Sequence, residues 1–401
     1  MSSINRKTLL VLAASLYQLE AIETAHRLGY RVVTTDNRPD NPGHALADRA
    51  YGADTCDLGA VLAIARAERI TGVIAPCTDV ALPTAAAVAT QLGLAGPPTC
   101  STRIVCDKAG FRDFQAAHGL PHPLFLKLES SDLLPGLEAA KQWIVKPCQS
   151  SGSKGIRVVS SLVELRYALP DAFGFSKSGA AIVEEFLPGH QGTCDGWLSA
   201  GRIAWHCLLD RQTVPLPFVA TNGHRLPTTL PPTEQARVLD AIGEIWRRLG
   251  VTDGPFDCDF VVDAEAVFIL ELSPRLGGNS ISQLVRLAYD FNLVEHTVRW
   301  ACGDELGPLP VQPPRPSAVV ILGADRAGAL RYREDEAARL AHEPWVRSLT
   351  FDLPPGALVE PFTDGRRRVG QALLVADTRK DLDQRVAELR QTLAVTANQQ
   401  E

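Results

Sequence analysis

The sequence predicts a mixed fold, with a parallel α/β domain at the N-terminus followed by α+β regions. Residues 8–14 form a continuous apolar run, which is typical of a parallel strand buried on both faces. Strand-like and helix-like segments then alternate through about the first hundred residues. From about residue 106, strands at hairpin spacing are mixed with helices, which indicates an α+β arrangement. The 401 residues are long enough for roughly two to four domains.

The composition excludes several classes of protein. Hydrophobic residues make up 45% of the chain, charged residues make up 21%, and the formal net charge is −6. These values are typical of a globular protein. They show no excess of positive charge that would favour binding to nucleic acid or to an anionic membrane surface. The nine cysteines form no CxxC pair, which favours a reduced, cytoplasmic location. The basic run Arg366-Arg367-Arg368 is expected on the exposed rim of a hairpin.

The N-terminal region is predicted to be a doubly wound parallel sheet. The expected strands are 8–14, 30–36 and 72–76, and the expected helices are 19–28, 60–68 and 81–92. Ligand loops of such a sheet follow the carboxyl ends of its strands. The glycines of a dinucleotide-binding fingerprint are missing after the first strand, so we expect no dinucleotide there.

The rest of the chain divides at a proline-rich segment. Before it, the expected elements are strands at 144–147, 155–160, 181–186, 203–209, 258–262 and 267–272, and a helix at 234–249. Residues 307–316 contain too many prolines for a helix or a central strand, so they are predicted to be a linker. After it, we expect strands near residues 318, 348, 359 and 371 and a closing helix from about 381.

A loop rich in serine and glycine, residues 150–155, lies between two predicted strands. Such a loop can fold over an anion and offer backbone N–H groups to phosphate oxygens. Lys146 and Lys154 add charges that suit a triphosphate. The loop lacks the GxxxxGK[ST] pattern of a Walker A motif. The alternative interpretation is a plain hairpin with solvated lysines.

Two carboxylates are predicted to face each other on neighbouring strands. Asp259 and Glu271 lie on antiparallel strands joined by a turn, which would place both on one face. Facing acids repel each other unless a cation lies between them, and Mg²⁺ meets that need with phosphate oxygens as further ligands. Arg275 can offset the charge of a phosphoryl group. The alternative, an exposed hairpin with solvated acids, fits the apolar neighbours at 261–262 and 268–270 poorly.

These segments resemble the ATP-grasp superfamily of carboxylate–amine ligases, whose motifs occur in the same order. The matching segments are Lys146-Pro147, the loop 150–155, Glu184-Glu185-Phe186 and Glu271-Leu-Ser273-Pro-Arg275, and residues 106–112 resemble the family's opening helix. The L-amino acid ligases are most similar in character, and the biotin-carboxylase and carbamoyl-phosphate-synthetase branches are more distant. The resemblance implies a Rossmann-like domain at 1–105, a two-subdomain ATP-grasp core at 106–308 with a lid at about 140–188, and a small α+β domain at 309–401.

The resemblance also implies site residues. ATP phosphates would be bound by Lys108, Lys146, Ser151, Gly152, Ser153 and Gly155. The adenine would lie against Glu184, Glu185 and Phe186, and the acid that holds the ribose would be Glu184 or Asp195. Mg²⁺ or Mn²⁺ would be held by Asp259 and Glu271, with Ser273, which replaces the family's asparagine, or Asn279 as a further ligand. Arg275 and Lys146 would be catalytic, and the substrate residues would be Asp79, His224 in a loop, Arg275, Gly277 and Gly278.

The activity implied by the resemblance is an ATP-dependent ligase. It would use MgATP to convert a small carboxylic acid to an acyl phosphate. It would then join the acyl group to an amine, which is expected to be the amino group of an amino acid. A carboxylase of nucleotide or cofactor metabolism that forms carboxyphosphate, and an ATP-binding protein without turnover, are the alternatives. The expected partners are small molecules and a second copy of the chain, with no nucleic acid and no membrane. Replacing Glu271 or Arg275 is expected to abolish substrate-dependent ADP release and leave the fold intact.

Overall fold

The N-terminal region is a parallel sheet with helices on both faces. The computed structural model describes residues 6–130 and 141–398. The first elements are β1 (Thr8–Leu12), α1 (Leu19–Arg27), β2 (Arg31–Thr35), α2 (Pro42–Leu46), β3 (Arg49–Tyr51), α3 (Leu58–Ala67), β4 (Gly72–Ile74) and α4 (Leu82–Leu92). The strands pair in parallel in the order β3-β2-β1-β4. Alternate residues of β1 pack into two separate hydrophobic clusters, which explains its continuous apolar run.

An antiparallel sheet follows. This sheet and the helix that packs on it form the part of the molecule that we call the lid. The elements are α5 (Thr99–Val105), α6 (Lys108–Ala117), β5 (Phe125–Leu128), β6 (Trp143–Pro147), β7 (Arg157–Val159), α7 (Leu162–Phe175) and β8 (Ala181–Glu185). The strand order is β5-β8-β6-β7, and apolar side chains of α7 pack on the sheet. The sheet includes β5, which precedes the predicted lid at 140–188. Residue 140, the first of that prediction, lies outside the described residues.

A long antiparallel sheet forms the centre of the molecule. Its region contains β9 (His190–Ser199), β10 (Arg202–Thr213), β11 (Thr221–Leu226), α8 (Pro232–Leu249), β12 (Gly254–Val262), β13 (Val267–Ser273), α9 (Ile281–Tyr289) and α10 (Leu293–Ala301). The C-terminal elements are β14 (Ser317–Leu322), β15 (Gly328–Arg331), α11 (Glu334–Leu340), β16 (Val346–Phe351), β17 (Leu358–Val359), β18 (Gly370–Val375), α12 (Arg379–Leu393) and β19 (Thr396–Asn398). The predicted mixture of α/β and α+β structure is therefore confirmed.

The central sheet crosses the predicted boundary at residue 308. Its strand order is β13-β12-β9-β10-β11-β14-β18-β16, so β14 pairs with β11 and carries the C-terminal strands into the same sheet. Pairing between strands so far apart in the chain leaves no signal in local hydrophobic periodicity. A smaller sheet has the order β17-β15-β19. The division of the chain into domains stays a prediction.

Large aromatic side chains fill the core beside this sheet. Trp197, Trp205 and Trp246 are all buried. Trp246 on α8 contacts Phe256 of β12, which fixes that helix against the central sheet. None of the described helices combines the length and the apolar character that crossing a membrane requires.

A buried carboxylate links the central sheet to the C-terminal helix. Asp210 on β10 accepts hydrogen bonds from Thr228 Oγ1 at 2.7 Å and Thr229 Oγ1 at 2.9 Å. It also pairs with His190 at 2.9 Å and with Arg379 of α12 at 2.7 Å. Burial alone would raise the pKa of Asp210, but these hydrogen bonds and the charge of Arg379 outweigh burial and lower it well below its usual range.

Replacing Asp210 with Asn is expected to destabilise the protein and to change its response to acid. Because the folded pKa is depressed, the ionised carboxylate stabilises the fold above its unfolded pKa of about 3.9, and this contribution is lost as the pH falls. At pH 7, we expect the free energy of unfolding of Asp210→Asn to be roughly 2 kcal/mol lower than that of the parent. Between pH 5 and pH 3, the free energy of unfolding should fall less in Asp210→Asn than in the parent. Urea unfolding at these pH values measures both effects. The exposed Asp240 on α8 provides the control, Asp240→Asn, and equal acid sensitivity in the parent and Asp210→Asn would contradict the interpretation.

Candidate active site

A cavity of about 580 Å³ lies where the N-terminal loops, the lid and the central sheet meet. This volume is within the range of small-molecule sites. Many of the predicted site residues line its wall: Asp79, Lys108, Lys146, Ser151, Gly152, Ser153, Glu184, Glu185, Phe186, His224, Asp259, Glu271, Arg275, Gly278 and Asn279. Gly155, Asp195, Ser273 and Gly277, which also lie in the described part of the chain, are placed outside this lining.

The two predicted metal ligands are brought together on this wall. Asp259 of β12 is the direct cross-strand partner of Glu271 of β13, and both side chains line the cavity. Side chains at such positions have Cβ atoms about 5 Å apart. Lys108 Nζ lies 3.5 Å from Glu271, and Arg211 Nε lies 3.8 Å from Asp259. Oxygen-only donors beside a cavity fit Mg²⁺, which combines one or two carboxylates with substrate phosphates.

Ser273, the third predicted metal ligand, is turned elsewhere. Its Oγ donates a 2.6 Å hydrogen bond to Asp79 Oδ1, and the side chain is buried. Ser273 also lies outside the cavity lining, so the structure does not support its role as a metal ligand, which stays a prediction. Asn279 does line the cavity, with a left-handed φ of 51°, and its role as a ligand stays a prediction.

Arg275 is held in a buried ion network. Its Nε donates to Asp79 Oδ1 at 2.9 Å and its Nη2 to Asp79 Oδ2 at 3.0 Å, while Nη1 pairs with Asp257. Burial alone would lower the pKa of Arg275, but the two carboxylates outweigh burial and raise it. Asp79, predicted to contact substrate, therefore accepts hydrogen bonds from Arg275 with both carboxylate oxygens. The two residues meet because the loop after β4 lies beside the segment that follows β13.

Asp195, a candidate for the ribose, lies behind the cavity wall. It is fully buried, and its Oδ2 accepts a 3.1 Å hydrogen bond from the backbone N–H of Gly277. A Cβ at Gly277 would approach Asp195 to 2.6 Å, so only glycine fits there. Burial, and then the neighbouring Asp257, raise the pKa of Asp195, and burial also raises the pKa of Asp257 to about 6. The protonated form of Asp195 is therefore favoured, and because Asp195 lies outside the cavity lining it is not placed to hold a ribose there.

Glu184, the other candidate for the ribose, is also engaged within the protein. Lys146 forms an ion pair with Glu184 from the neighbouring strand β6. Arg112 forms a second ion pair with Glu184, and its side chain reaches Glu184 from α6. Glu185 and Phe186 line the cavity, and their contact with adenine stays a prediction, but their own backbone N–H groups are engaged within the protein. These groups donate to the carbonyls of Leu124 and Gln142, each at 2.9 Å. Leu187, the next residue, also lines the cavity.

The Ser/Gly loop, residues 150–155, is closed over the cavity and held at two points. Lys108 Nζ donates to the carbonyl of Ser150 at 3.2 Å. The N–H of Gly365 donates to the carbonyl of Gly152 at 3.0 Å, which ties the loop to the C-terminal region. Arg366, from the basic run expected on the exposed rim of a hairpin, is exposed as predicted, but it also lines the cavity and lies over the ring of Phe175 at 4.7 Å. The 3₁₀ helix Gly365–Arg367 places it there.

Two residues on neighbouring strands add a polar corner to the site. Arg211 of β10 is the cross-strand partner of His224 of β11, and both line the cavity. His224 is therefore in a strand, and the predicted loop is wrong because β11 pairs on both sides, with β10 and β14. Its ring nitrogens have no hydrogen-bond partner among the described residues. Burial lowers the pKa of His224 to about 4, so its ring is neutral at pH 7.

Backbone strain is concentrated at the same cavity. Ala13, Cys77, Ser153 and Asn279 are non-glycine residues with left-handed φ angles of 73°, 59°, 59° and 51°, and all four line it. Such conformations cost about 1–3 kcal/mol each and are typical of functional sites. Sequence patterns did not identify this strain, nor did they identify Arg112, Arg211, Asp257 and Arg366 as site residues.

Two segments of the chain match known family models. Residues 140–283 match the ATP-grasp domain family, and residues 333–397 match the L-amino acid ligase C-terminal domain 2. An uncharacterized protein of Sinorhizobium fredii is 27% identical over 73% of this chain, which spans 61% of that relative. A formate-dependent phosphoribosylglycinamide formyltransferase of Burkholderia lata is 28% identical over 92% of this chain and 90% of its own length.

Solved structures share the fold across nearly the whole chain. An L-amino acid ligase from Bacillus licheniformis has a TM-score of 0.81 at 18% identity, with 99% of each chain covered. The biotin carboxylase domain of a Hydrogenobacter thermophilus 2-oxoglutarate carboxylase, crystallised with MgADP, has a TM-score of 0.71 at 15% identity over 97% of this chain and 90% of its own.

The fold and the site together define an ATP-dependent ligase, an enzyme that activates a carboxylate for attack by an amine or another nucleophile. Residues 140–283 are similar to the ATP-grasp domain of carboxylate–amine ligases, as the motifs predict, and residues 333–397 are similar to a C-terminal domain of the L-amino acid ligases. ATP and Mg²⁺ are the cofactors of this class of enzyme.

Proposed function

We propose that the chain uses MgATP to activate a small carboxylic acid as an acyl phosphate and joins it to the amino group of an amino acid. The observation that carries the proposal is the cross-strand pair Asp259 and Glu271 on the wall of a cavity that also holds Lys108, Lys146 and Arg211. The match of residues 333–397 to the L-amino acid ligases supports an amino acid as substrate.

The cations of the site have distinct roles in this reaction. Lys108 and Lys146, with the Ser/Gly loop, bind the phosphates, and Arg211 lies beside Asp259 where charge develops on the transferred phosphoryl group. Burial alone would lower the pKa of Lys108, but Glu271 and Asp79 outweigh burial and raise it, which keeps Lys108 charged. Mg²⁺, held by Asp259 and Glu271, would neutralise phosphate oxygens when bound.

The two chemical steps need no nucleophile from the protein. A carboxylate oxygen of the substrate attacks the γ-phosphorus and ADP leaves. The amine nitrogen then attacks the acyl carbon, the bond from that carbon to the phosphate oxygen breaks, and the departing phosphate accepts the proton that the nitrogen loses. His224, neutral at pH 7, can accept a hydrogen bond from the amine. Closure of the Ser/Gly loop protects the acyl phosphate from water.

Assembly and location are part of the proposal. We infer a homodimer in the cytoplasm, with small molecules as the substrates. The biotin carboxylase domain is described as a dimer, which supports the first inference. All nine cysteines are free thiols, which supports a reducing compartment.

An ADP-release assay with pairs of amino acids and Mg²⁺ tests the function. We expect ADP only when an acid and an amine are both present, with one amide formed per ADP. The panel also includes bicarbonate and formate. A requirement for bicarbonate would show that the enzyme carboxylates its substrate and does not form an amide. MgATP binding without turnover across the panel would contradict catalysis. EDTA should abolish ADP release, and added Mg²⁺ or Mn²⁺ should restore it.

A further inference from the structure

Helix α6 presents two cations, one turn apart, to acids on opposite sides of the cavity. Lys108 at its first position reaches Glu271, and Arg112, four residues later, reaches Glu184. Arg112 is fully buried, with Nε 2.8 Å from Glu184 Oε1. Its Nη2 donates to the carbonyl of Leu270 at 2.9 Å, and its Nη1 donates to Gln115 at 2.7 Å. Arg112 is thus anchored to the central sheet at β13 and to the lid at β8.

Glu184 connects Arg112 to the cavity. Its second carboxylate oxygen pairs with Lys146 Nζ, and the exposed fractions of the side chains of Arg112, Glu184 and Lys146 are 1%, 1% and 9%. Burial alone would raise the pKa of Glu184, but the charges of Arg112 and Lys146 outweigh burial and lower it to about 2. Glu184 is therefore ionised at neutral pH. Burial and, to a smaller degree, Arg112 lower the pKa of Lys146, while Glu184 opposes them; with Lys146 charged, the triad of two cations and one carboxylate has a formal net charge of +1.

We propose that Arg112 is a positioning residue for nucleotide binding: it neutralises Glu184, so that the charge of Lys146 remains available to the nucleotide phosphates. Without Arg112, Glu184 would cancel the charge of Lys146 at short range in a poorly solvated site, where such interactions are strong. Glu184 is then an ion-pair partner of Lys146 rather than a ligand of the nucleotide. The inference rests on the proposed function, because it needs ATP in this cavity.

A double-mutant cycle separates this charge effect from simple packing. The measurement is calorimetric binding of the Mg²⁺ complex of AMP-PNP, a non-hydrolysable ATP analogue, to the full chain. Arg112→Gln brings the net charge of the triad to zero, and we expect the Kd to rise at least about tenfold. Arg112→Gln/Glu184→Gln returns the net charge to the parent value, and we expect its Kd to lie within about threefold of the parent. A double variant that binds no better than Arg112→Gln would overturn the proposal.

Two further variants keep the test informative if Arg112→Gln folds poorly. Arg112→Lys retains the charge and should bind AMP-PNP within about threefold of the parent. Glu184→Gln alone should bind at least as tightly as the parent, whereas a nucleotide-binding role for this acid requires weaker binding. The exposed Arg166 on α7 supplies the matched control, Arg166→Gln, and thermal unfolding of each variant confirms folding.

The outcomes for this inference and for the proposed function are distinct. If the parent protein does not bind AMP-PNP with Mg²⁺, the proposed function fails. If the parent binds AMP-PNP and Arg112→Gln binds it equally well, the proposed function stands and the role of Arg112 is refuted.

Discussion

Glu271→Gln is expected to reduce substrate-dependent ADP release by about 10³-fold or more. The amide keeps the shape of the side chain but removes one of two carboxylates that face each other across β12 and β13. Phosphate oxygens in the cavity would then lack part of the metal charge that offsets their own. Because the Glu271 side chain is 32% exposed and lies on the cavity wall, the melting temperature should change by only a few degrees. A coupled ADP assay and thermal unfolding measure the two effects.

Glu265, in the exposed turn between the same strands, provides the matched control. Glu265→Gln changes the net charge of the chain equally and should retain parental activity. Full activity in Glu271→Gln would remove the Asp259–Glu271 pair from the metal site, and with it the observation on which the proposed function depends.

Arg275→Met is expected to abolish activity and also to destabilise the fold by about 3–5 kcal/mol. Removing the guanidinium leaves Asp79 and Asp257 as neighbouring buried acids without their partner. The sequence predicts a loss of activity with an intact fold. The structure changes that expectation, because Arg275 joins the N-terminal region to the central sheet. Urea unfolding at pH 7 gives the stability, and the ADP assay gives the activity.

The double variant Arg275→Met/Asp79→Asn tests the electrostatic explanation. Neutralising Asp79 removes one of the stranded charges, so we expect about 1–3 kcal/mol of the lost stability to return while activity stays absent. Arg286, whose ion pair with Glu20 is on the surface, is the control, and Arg286→Met should cost less than about 1 kcal/mol. A double variant less stable than Arg275→Met would show that packing, and not charge, dominates at this position.

Much of the cavity wall could be predicted because its residues lie in short, ordered motifs. The pair Asp259 and Glu271 is an example, since two strands joined by a turn must pair antiparallel and alternate residues then share a face. Lys108, Lys146 and the Ser/Gly loop also lie on the wall, as the motifs imply. These residues depend on local geometry that a few consecutive amino acids define.

Other parts of the site could not be predicted from short motifs. Asp79, Asp195 and Glu184 were predicted to contact substrate or nucleotide, yet each is bound to a partner from a distant segment. A carboxylate in a sequence carries no sign of whether a buried arginine or a backbone N–H will reach it. Arg112 looks like any helical arginine until the fold encloses it between β8 and β13.

The sequence alone determined the fold class, the resemblance to the ATP-grasp ligases and the facing acids, because hydrophobic periodicity and short motifs are local properties of the chain. Only the tertiary structure decided which charges remain free in the cavity. That outcome depends on contacts such as Arg275 with Asp79 and Gly365 with Gly152, which join residues roughly two hundred positions apart. Burial and the proximity of opposite charges set the protonation and the orientation of these groups, and both arise only when the distant segments pack together.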